Sequence, residues 1–449
     1  MKTNTRPTAT ILVALLLLCT LATGQAQFTF TTNNGTITIT KYTGPGGVVV
    51  IPGSTNGYPV TIIGSSAFAS CSTLTNLTIP DSVTNIGDSA FNLCQNLTNL
   101  TIPTNVITIG NFAFQACSRV TSITIPDSVI NLGKESFDSC NRLTGLTIGN
   151  SVANIDDTAF SATPLTNVTI PDSVIRIGVN AFYACGSLTN VMLGNGLKSI
   201  GDAAFMCNYL TSIVIPESVT NLGNSAFADS PYLTTATIYG GFGTNTFNGC
   251  IHLTNVLIGT NVTSIGPQMF YTCYGLPSIT VPSSVTNIAA SAFYSCSHLT
   301  NVMIGNGVLS IAYAAFQSCG SLTGVYFEGN APSPSTNPTV FSGDNKATVY
   351  YLPGTLGWGP IFDGRPTAPW PLPYPVVLNQ SVGFALQTNG FDFTIAWNTN
   401  IPVVVEACTN PANHTWRPLA TNTLTSGTSY FSDPQWTNYP SRFYRLRSP

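Results

Sequence analysis

Cysteine is the side chain in this sequence most able to do chemistry, and twelve occur in 449 residues. Ten of them, Cys71, Cys94, Cys117, Cys140, Cys185, Cys207, Cys250, Cys273, Cys296 and Cys319, read as one position of a repeat. One thiol per repeat permits bridges between neighbours, metal ligation, or no chemistry, the thiol packing as a small buried hydrophobe. Thr163 and Ser230 take the position in two repeats without a matching change in a neighbour's cysteine, which argues against bridges. A metal needs converging ligands, and the column offers one per repeat. Buried reduced thiols are the expected state, with no metal and no cofactor. Cys408 lies outside the column and reads as a lone buried thiol.

The other candidates are weaker. His252 and His298 share one repeat position where other repeats carry Thr73, Asn96, Arg119, Ser187 or Tyr209, so the position reads as a variable surface column. His414 stands near Trp416 in the C-terminal part and reads as surface. Asp81, Asp127, Asp172 and Glu217 each follow a strand-ending proline, where a short polar side chain serves the turn. Their regular spacing does not converge two carboxyl groups on one bond. No phosphate-binding glycine loop and no nucleophile elbow occurs. No enzyme activity is expected.

These residues are positioned by a repeat of about 23 residues. Phe68, Phe91, Phe114, Phe137, Phe160, Phe182, Phe205, Phe227, Phe247, Phe270, Phe293 and Phe316 mark it, and Phe341 fits as a terminal repeat of changed composition. A period in this range signals a solenoid, in which each coil buries its apolar side only by stacking on its neighbours. Within one coil Leu77, Thr78 and Ile79 alternate in, out and in, as in a half-buried strand, and Pro80 stops it. Val83-Thr84-Asn85-Ile86 reads as a second short strand, and Asp88-Ser89-Ala90-Phe91 as a helical turn. Glycine recurs as Gly64, Gly87, Gly110, Gly133, Gly178, Gly201, Gly223 and Gly266, which suggests a backbone conformation other residues enter at a cost.

The outward strand position is the candidate binding surface. It reads Thr78, Thr101, Thr124, Thr147 and Thr169, then Met192, Val214, Thr237, Leu257, Thr280, Met303, Tyr326 and Tyr351. Met192, Val214, Leu257, Met303, Tyr326 and Tyr351 are large or apolar where solvent is expected, which marks either a partner-binding stripe or cover by the C-terminal module. A threonine surface for ice binding is disfavoured, since the second threonine column falls at Thr75 and not two residues from Thr78.

Residues 1–26 read as a secretory signal: Lys2 and Arg6, an apolar run over 11–21, then Ala22, Gly24 and Ala26. The run is short for a membrane span, and no later segment reads as one. Residues 27–52 read as a β-rich N-terminal cap, 53–353 as a solenoid of 12–13 coils with its C-terminal cap, and 354–375 as a stiff proline-rich linker. Residues 376–449 alternate apolar and polar side chains and read as a small β-sandwich. Only 7% of residues are charged and the net charge is −3, so no basic surface exists for nucleic acid.

The pattern L-x-x-L-x-I-P-x-S-V-x-x-I-G-x-x-A-F-x-x-C, as in residues 74–94, resembles the BspA-type leucine-rich repeats of bacterial surface proteins. The resemblance covers roughly residues 48–353. It implies a leucine-rich repeat solenoid with one strand per coil in its main sheet. It also implies an exported, secreted or cell-surface adhesion scaffold that holds an extracellular protein or glycan. The ending Ser441-Arg442-Phe443-Tyr444-Arg445-Leu446-Arg447 resembles that of accessory C-terminal modules in secreted bacterial proteins. A structural envelope or matrix component, anchored by that module, is the alternative.

Overall fold

The computed structural model describes residues 27–448 except 242, 334–338, 373–374, 379–385, 388–389, 414 and 426. The expected signal segment, Cys19 and His414 lie outside the described residues. The chain divides into two compact units, Met1–Val256 and Leu257–Pro449, and the division falls inside the repeat array.

The first unit is a stack of coils. Each coil has a main-sheet strand such as Leu74–Thr78 and a second strand such as Asn85–Ile86. Parallel pairing joins each second strand to the next, from Ile62↔Asn85 and Asn85↔Thr108 through to Ile200↔Leu222. Inside, Leu74, Val83, Ile86, Ala90 and Phe91 are fully buried. The phenylalanine rings form a ladder: Phe91 and Phe114 lie 5.2 Å apart at 5°, and Phe205 and Phe227 5.3 Å apart at 2°. Burying such a ring stabilises by about 1.5–3 kcal/mol, so the ladder is a large part of what joins one coil to the next. At the start, strands Phe28–Asn33 and Thr36–Tyr42 form an antiparallel hairpin, and Tyr42 stacks on Phe68 at 5.1 Å.

The segment around each phenylalanine is not the expected helical turn. It is a run of tight turns with two left-handed residues per coil, at positions −2 and +2 from the ring: Ser66 and Ser70, Ser89 and Leu93, Phe112 and Ala116. Their N–H groups reach the following coil, Ser89 to Asn111 O at 2.7 Å and Leu93 to Gln115 O at 2.9 Å. Left-handed backbone costs an ordinary residue about 1–2 kcal/mol, which these inter-coil bonds offset.

The glycine column also has a different cause from the one expected. Gly87, Gly110 and Gly133 are not left-handed, but each backbone lies against the same point of the preceding coil. A Cβ on Gly133 would sit 2.5 Å from the Gly110 carbonyl carbon. Close approach, not φ, selects glycine here.

The second unit continues the coil plan and carries the C-terminal module. Its main sheet runs through Ser278–Val281, Asn301–Ile304, Gly324–Phe327, Thr348–Tyr351 and Arg365–Pro369, with Ile361–Phe362 at its edge. Phe341 stacks on Phe316 at 5.6 Å. Residues 354–375 are therefore not a free linker: Arg365–Pro369 pairs in parallel with Thr348–Tyr351, and Trp358 and Phe362 cover Phe327 at 4.8 and 5.7 Å. Two small antiparallel sheets follow. One centres on Gly390–Ala396 and the other on Pro402–Cys408, flanked by Arg417–Thr423 and Phe443–Arg447. Their core contains Leu352 and Leu372 together with Phe393, Ile395, Trp397 and Phe431.

Candidate functional site

The cysteine column is a hydrogen-bonding device. The Sγ of Cys94 donates to Phe68 O at 3.2 Å, Cys117 to Phe91 O at 3.3 Å, and Cys140 to Phe114 O at 3.3 Å. In the second unit Cys296 donates to Phe270 O and Cys319 to Phe293 O, at 3.2 and 3.1 Å. All eleven described cysteines are free thiols, and nine are buried; Cys71 and Cys207 are half-buried. Burial pushes Cys94, Cys140 and Cys250 up to about 12 and Cys185 up to about 11, so these thiols stay protonated at neutral pH. Among the described residues no cluster of His, Cys, Asp or Glu is placed to hold a metal ion.

One assignment to the column changes. Cys207 is one residue early and left-handed, and fully buried Asn208 takes the column position, its Nδ2 donating to Phe182 O at 3.0 Å. The column thus has nine cysteines, with Thr163, Asn208, Ser230 and Asp344 completing it. Asp344, 1% exposed, has neither carboxyl oxygen hydrogen-bonded, and burial raises it to about 7. The histidines behave as expected of surface residues: the exposed His252 ring meets Pro231 O at 2.6 Å, and His298 is exposed. Two of the four carboxylates bond to the next coil. Asp127 and Asp172 each accept the backbone N–H one coil later, from Asn150 at 2.7 Å and Asn195 at 2.6 Å.

The outward strand positions are the remaining candidates. In the first unit Thr169 pairs with Met192, which is 60% exposed, and Val214, 53% exposed, pairs with Thr237. In the second unit Leu257 is 52% exposed, and Met303 and Tyr326 are half-buried neighbours in register. Tyr351 does not belong to this face. Tyr350 pairs with Tyr326 and stacks on it at 5.0 Å, whereas Tyr351 pairs with Phe327 and lies on Trp358 at 5.3 Å. One residue fewer follows Phe341 than follows Phe316 before the matching position, which turns Tyr351 to the other side. Trp370 packs on Tyr326 at 5.1 Å, so this end of the face is partly covered from within the chain. Cover raises the Tyr326 hydroxyl above its ordinary range, with Tyr350 adding to the effect.

A second exposed apolar column went unnoticed in the sequence. Ile107, Ile130 and Ile175 are about half exposed and joined through Ala153 by N–H to O bonds of 2.7–3.3 Å. The signal was legible: isoleucine recurs seven residues before Phe114, Phe137 and Phe182.

The profile of the BspA type leucine rich repeat region matches residues 61–185, 140–242 and 240–348, in six copies. The chain belongs to the BspA-type leucine-rich repeat family. Solved structures similar to this BspA-type chain include a leucine-rich repeat protein of Bacteroides ovatus, 28% identical over 67% of this chain and 93% of that one, with a TM-score of 0.47. A leucine rich cell surface protein of Faecalibacterium prausnitzii is 28% identical over 68% and 94%, with a TM-score of 0.38. The pneumococcal vaccine antigen PcpA is 15% identical over 72% and 91%, with a TM-score of 0.40. No curated protein matches the chain. No helix among the described residues is long and apolar enough to cross a membrane.

Proposed function

We propose that this BspA-type protein is an exported, non-catalytic binding scaffold that holds an extracellular protein or glycan on the exposed face of its main sheet. The observation that carries the reading is the exposure of Met192 and Val214 on the outward position of the main sheet, which in the first unit is mostly threonine, with Val50 beside Thr78 another exposed apolar residue. Met is enriched at interface centres, and apolar residues left on an open sheet favour association. Leu257 and Met303 offer the same chemistry in the second unit. The low charge suits a partner recognised by shape and apolar contact. The signal-like residues 1–26 support export, and the surface location of the Faecalibacterium relative agrees with it.

The test is a screen of the mature chain against extracellular protein and glycan arrays, repeated with Met192→Glu and Val214→Glu combined. Capture is expected to fall about tenfold or more, since each charge must be desolvated on binding. Thr78→Glu with Thr147→Glu, on exposed threonine positions, is expected to bind normally. Equal loss from both pairs, or none from the first, would sink the reading.

A further inference from the structure

The main sheet of the first unit is stitched by a repeated bond, in which a threonine N–H donates to the carbonyl of the corresponding threonine one coil earlier. Thr98 donates to Thr75 O and Thr144 to Thr121 O, both at 2.9 Å, and the two hydroxyls repeat those bonds at 3.1 and 3.3 Å. Between Thr98 and Thr121 both bonds are missing. Among the described residues no backbone hydrogen bond joins 98–102 to 121–125, and strands Asn99–Leu100 and Ser122–Thr124 fall in separate sheets. The ladder also lapses between Thr144 and Thr166, where the repeat is one residue short, but Thr98 and Thr121 keep the regular spacing of 23.

On their other side the same coils remain joined. Thr108–Ile109 pairs with Asn131–Leu132, and the Phe114 and Phe137 rings stay in contact. The coils therefore splay on the sheet side alone, opening a cleft of about 610 Å³ between two strand edges.

The lining discriminates among ligands. Residues 98–102 and 121–124, with Thr104 and Pro126, contribute hydroxyls, one amide and aliphatic groups. No charged, histidine, cysteine or aromatic side chain lines the cleft. It thus lacks the groups that would ligate a metal, neutralise a phosphate, transfer a proton or stack on a sugar ring. What it offers is main chain: the Thr98 carbonyl edge and the Thr121 N–H edge, with groups spaced at about 3.3 Å per residue. A polypeptide in extended form repeats donors and acceptors at that spacing.

We propose that the cleft between Asn99–Leu100 and Ser122–Thr124 is a strand-addition site for an extended, uncharged segment of a partner polypeptide. This site is separate from Met192 and Val214 and does not depend on their role.

The probe is a fluorescent heptapeptide with the sequence of residues 74–80, a copy of one of the chain's own strands, added to the mature chain. Saturable binding is expected by fluorescence anisotropy, changing less than about twofold on adding salt because no ion pair forms. Methylating alternate peptide nitrogens, which removes donors and keeps side chains, is expected to weaken binding about tenfold or more. Combining Thr98→Cys with Thr121→Cys allows a disulfide that closes the edges; the oxidised form is expected to lose the peptide and the reduced form to regain it. Should that variant not fold, amide exchange in the unaltered protein decides. The Thr121 amide is expected to exchange much faster than that of Thr144 and to slow when peptide is bound. Absence of peptide binding, equal binding of the methylated peptide, undiminished binding by the oxidised variant, or a Thr121 amide as protected as Thr144 would each overturn the proposal.

Discussion

The Sγ of Cys117 donates to the carbonyl of Phe91, which also accepts the N–H of Cys94 from its own coil. Each such carbonyl is shared between a turn and the thiol of the next coil. A hydroxyl on a shorter C–O bond does not reproduce this. Thr163 donates to Phe160 of its own coil, and the Ser230 hydroxyl is buried without a partner. Cys117→Ser is therefore expected to destabilise by about 1–3 kcal/mol and no less than Cys117→Ala, which buries no orphan hydroxyl. Urea unfolding of both variants checks the order.

Thiol labelling separates the column from its exceptions. In native protein Cys71 and Cys207, the half-buried pair, are expected to alkylate first, and the other nine described cysteines only after denaturation. Mass spectrometry counts the labels. Native disulfides among the repeat cysteines would refute the reduced column.

Asp344 gives the fold a pH dependence of stated sign. Its buried carboxyl is raised to about 7, against about 4 in an unfolded chain, so its contribution is full below pH 4 and lost as pH rises through 7. The groups acting on it are Cys319 and Arg365. Burial also raises Glu328 and Asp363, which slope the same way. Melting temperature is expected to fall between about pH 4 and 7. Asp344→Asn should flatten part of that fall and stabilise at pH 8 by about 1–3 kcal/mol, because Asn208 already serves the same position elsewhere in the column. An unchanged slope would assign the effect to other groups.

Gly133→Ala places a methyl group against the backbone of Gly110, where no flexible side chain can give way. A loss of about 1–3 kcal/mol is expected. Ala289 and Ala312 stand at the corresponding position in the second unit, so Ala312→Gly is expected to cost under about 1 kcal/mol. Thermal melts of the two variants compare them directly.

Ending the chain after residue 353 is expected to give aggregated protein. Leu352 shares a core with Phe393 and Trp397, and the cut would strip Trp358 and Phe362 from Phe327. Size-exclusion chromatography showing a soluble monomer would refute this. The same packing means that deleting residues 354–449 cannot cleanly separate a binding array from an anchoring module.

The repeat was legible because Phe, Leu, Ile and Cys recur at fixed offsets, and periodicity alone places them inward. What escaped was information carried by the neighbouring coil. Left-handed backbone falls on Ser, Ala, Leu, Glu and even Phe112, none of which announces it, because the bond to the next coil imposes the conformation. Gly133 reads alike whether φ or crowding selects it. Cys207 and Tyr351 were misplaced by one residue where coil length changes, and a single step turns a side chain to the opposite face. The prolines of 366–369 suggested a linker, yet Pro366 and Pro369 sit in a strand near the sheet's edge, where a missing N–H is tolerated. The cleft at Thr98 and Thr121 has no sequence signal that we recognise.

The inter-coil hydrogen bonds also have a direction. The thiols and the donors that open each main strand point backwards, as from Cys94 to Phe68 O and Thr98 to Thr75 O, while turn donors and some donors at strand ends point forwards, as from Phe91 to Ala113 O and Ile125 to Thr147 O. A chain emerging amino terminus first can thus close the backward bonds of each coil at once, on a coil already made. The forward bonds must wait for about 23 more residues. Synthesis would then advance with one half-finished coil at its leading edge, and the left-handed turns would be the last part of every coil to settle.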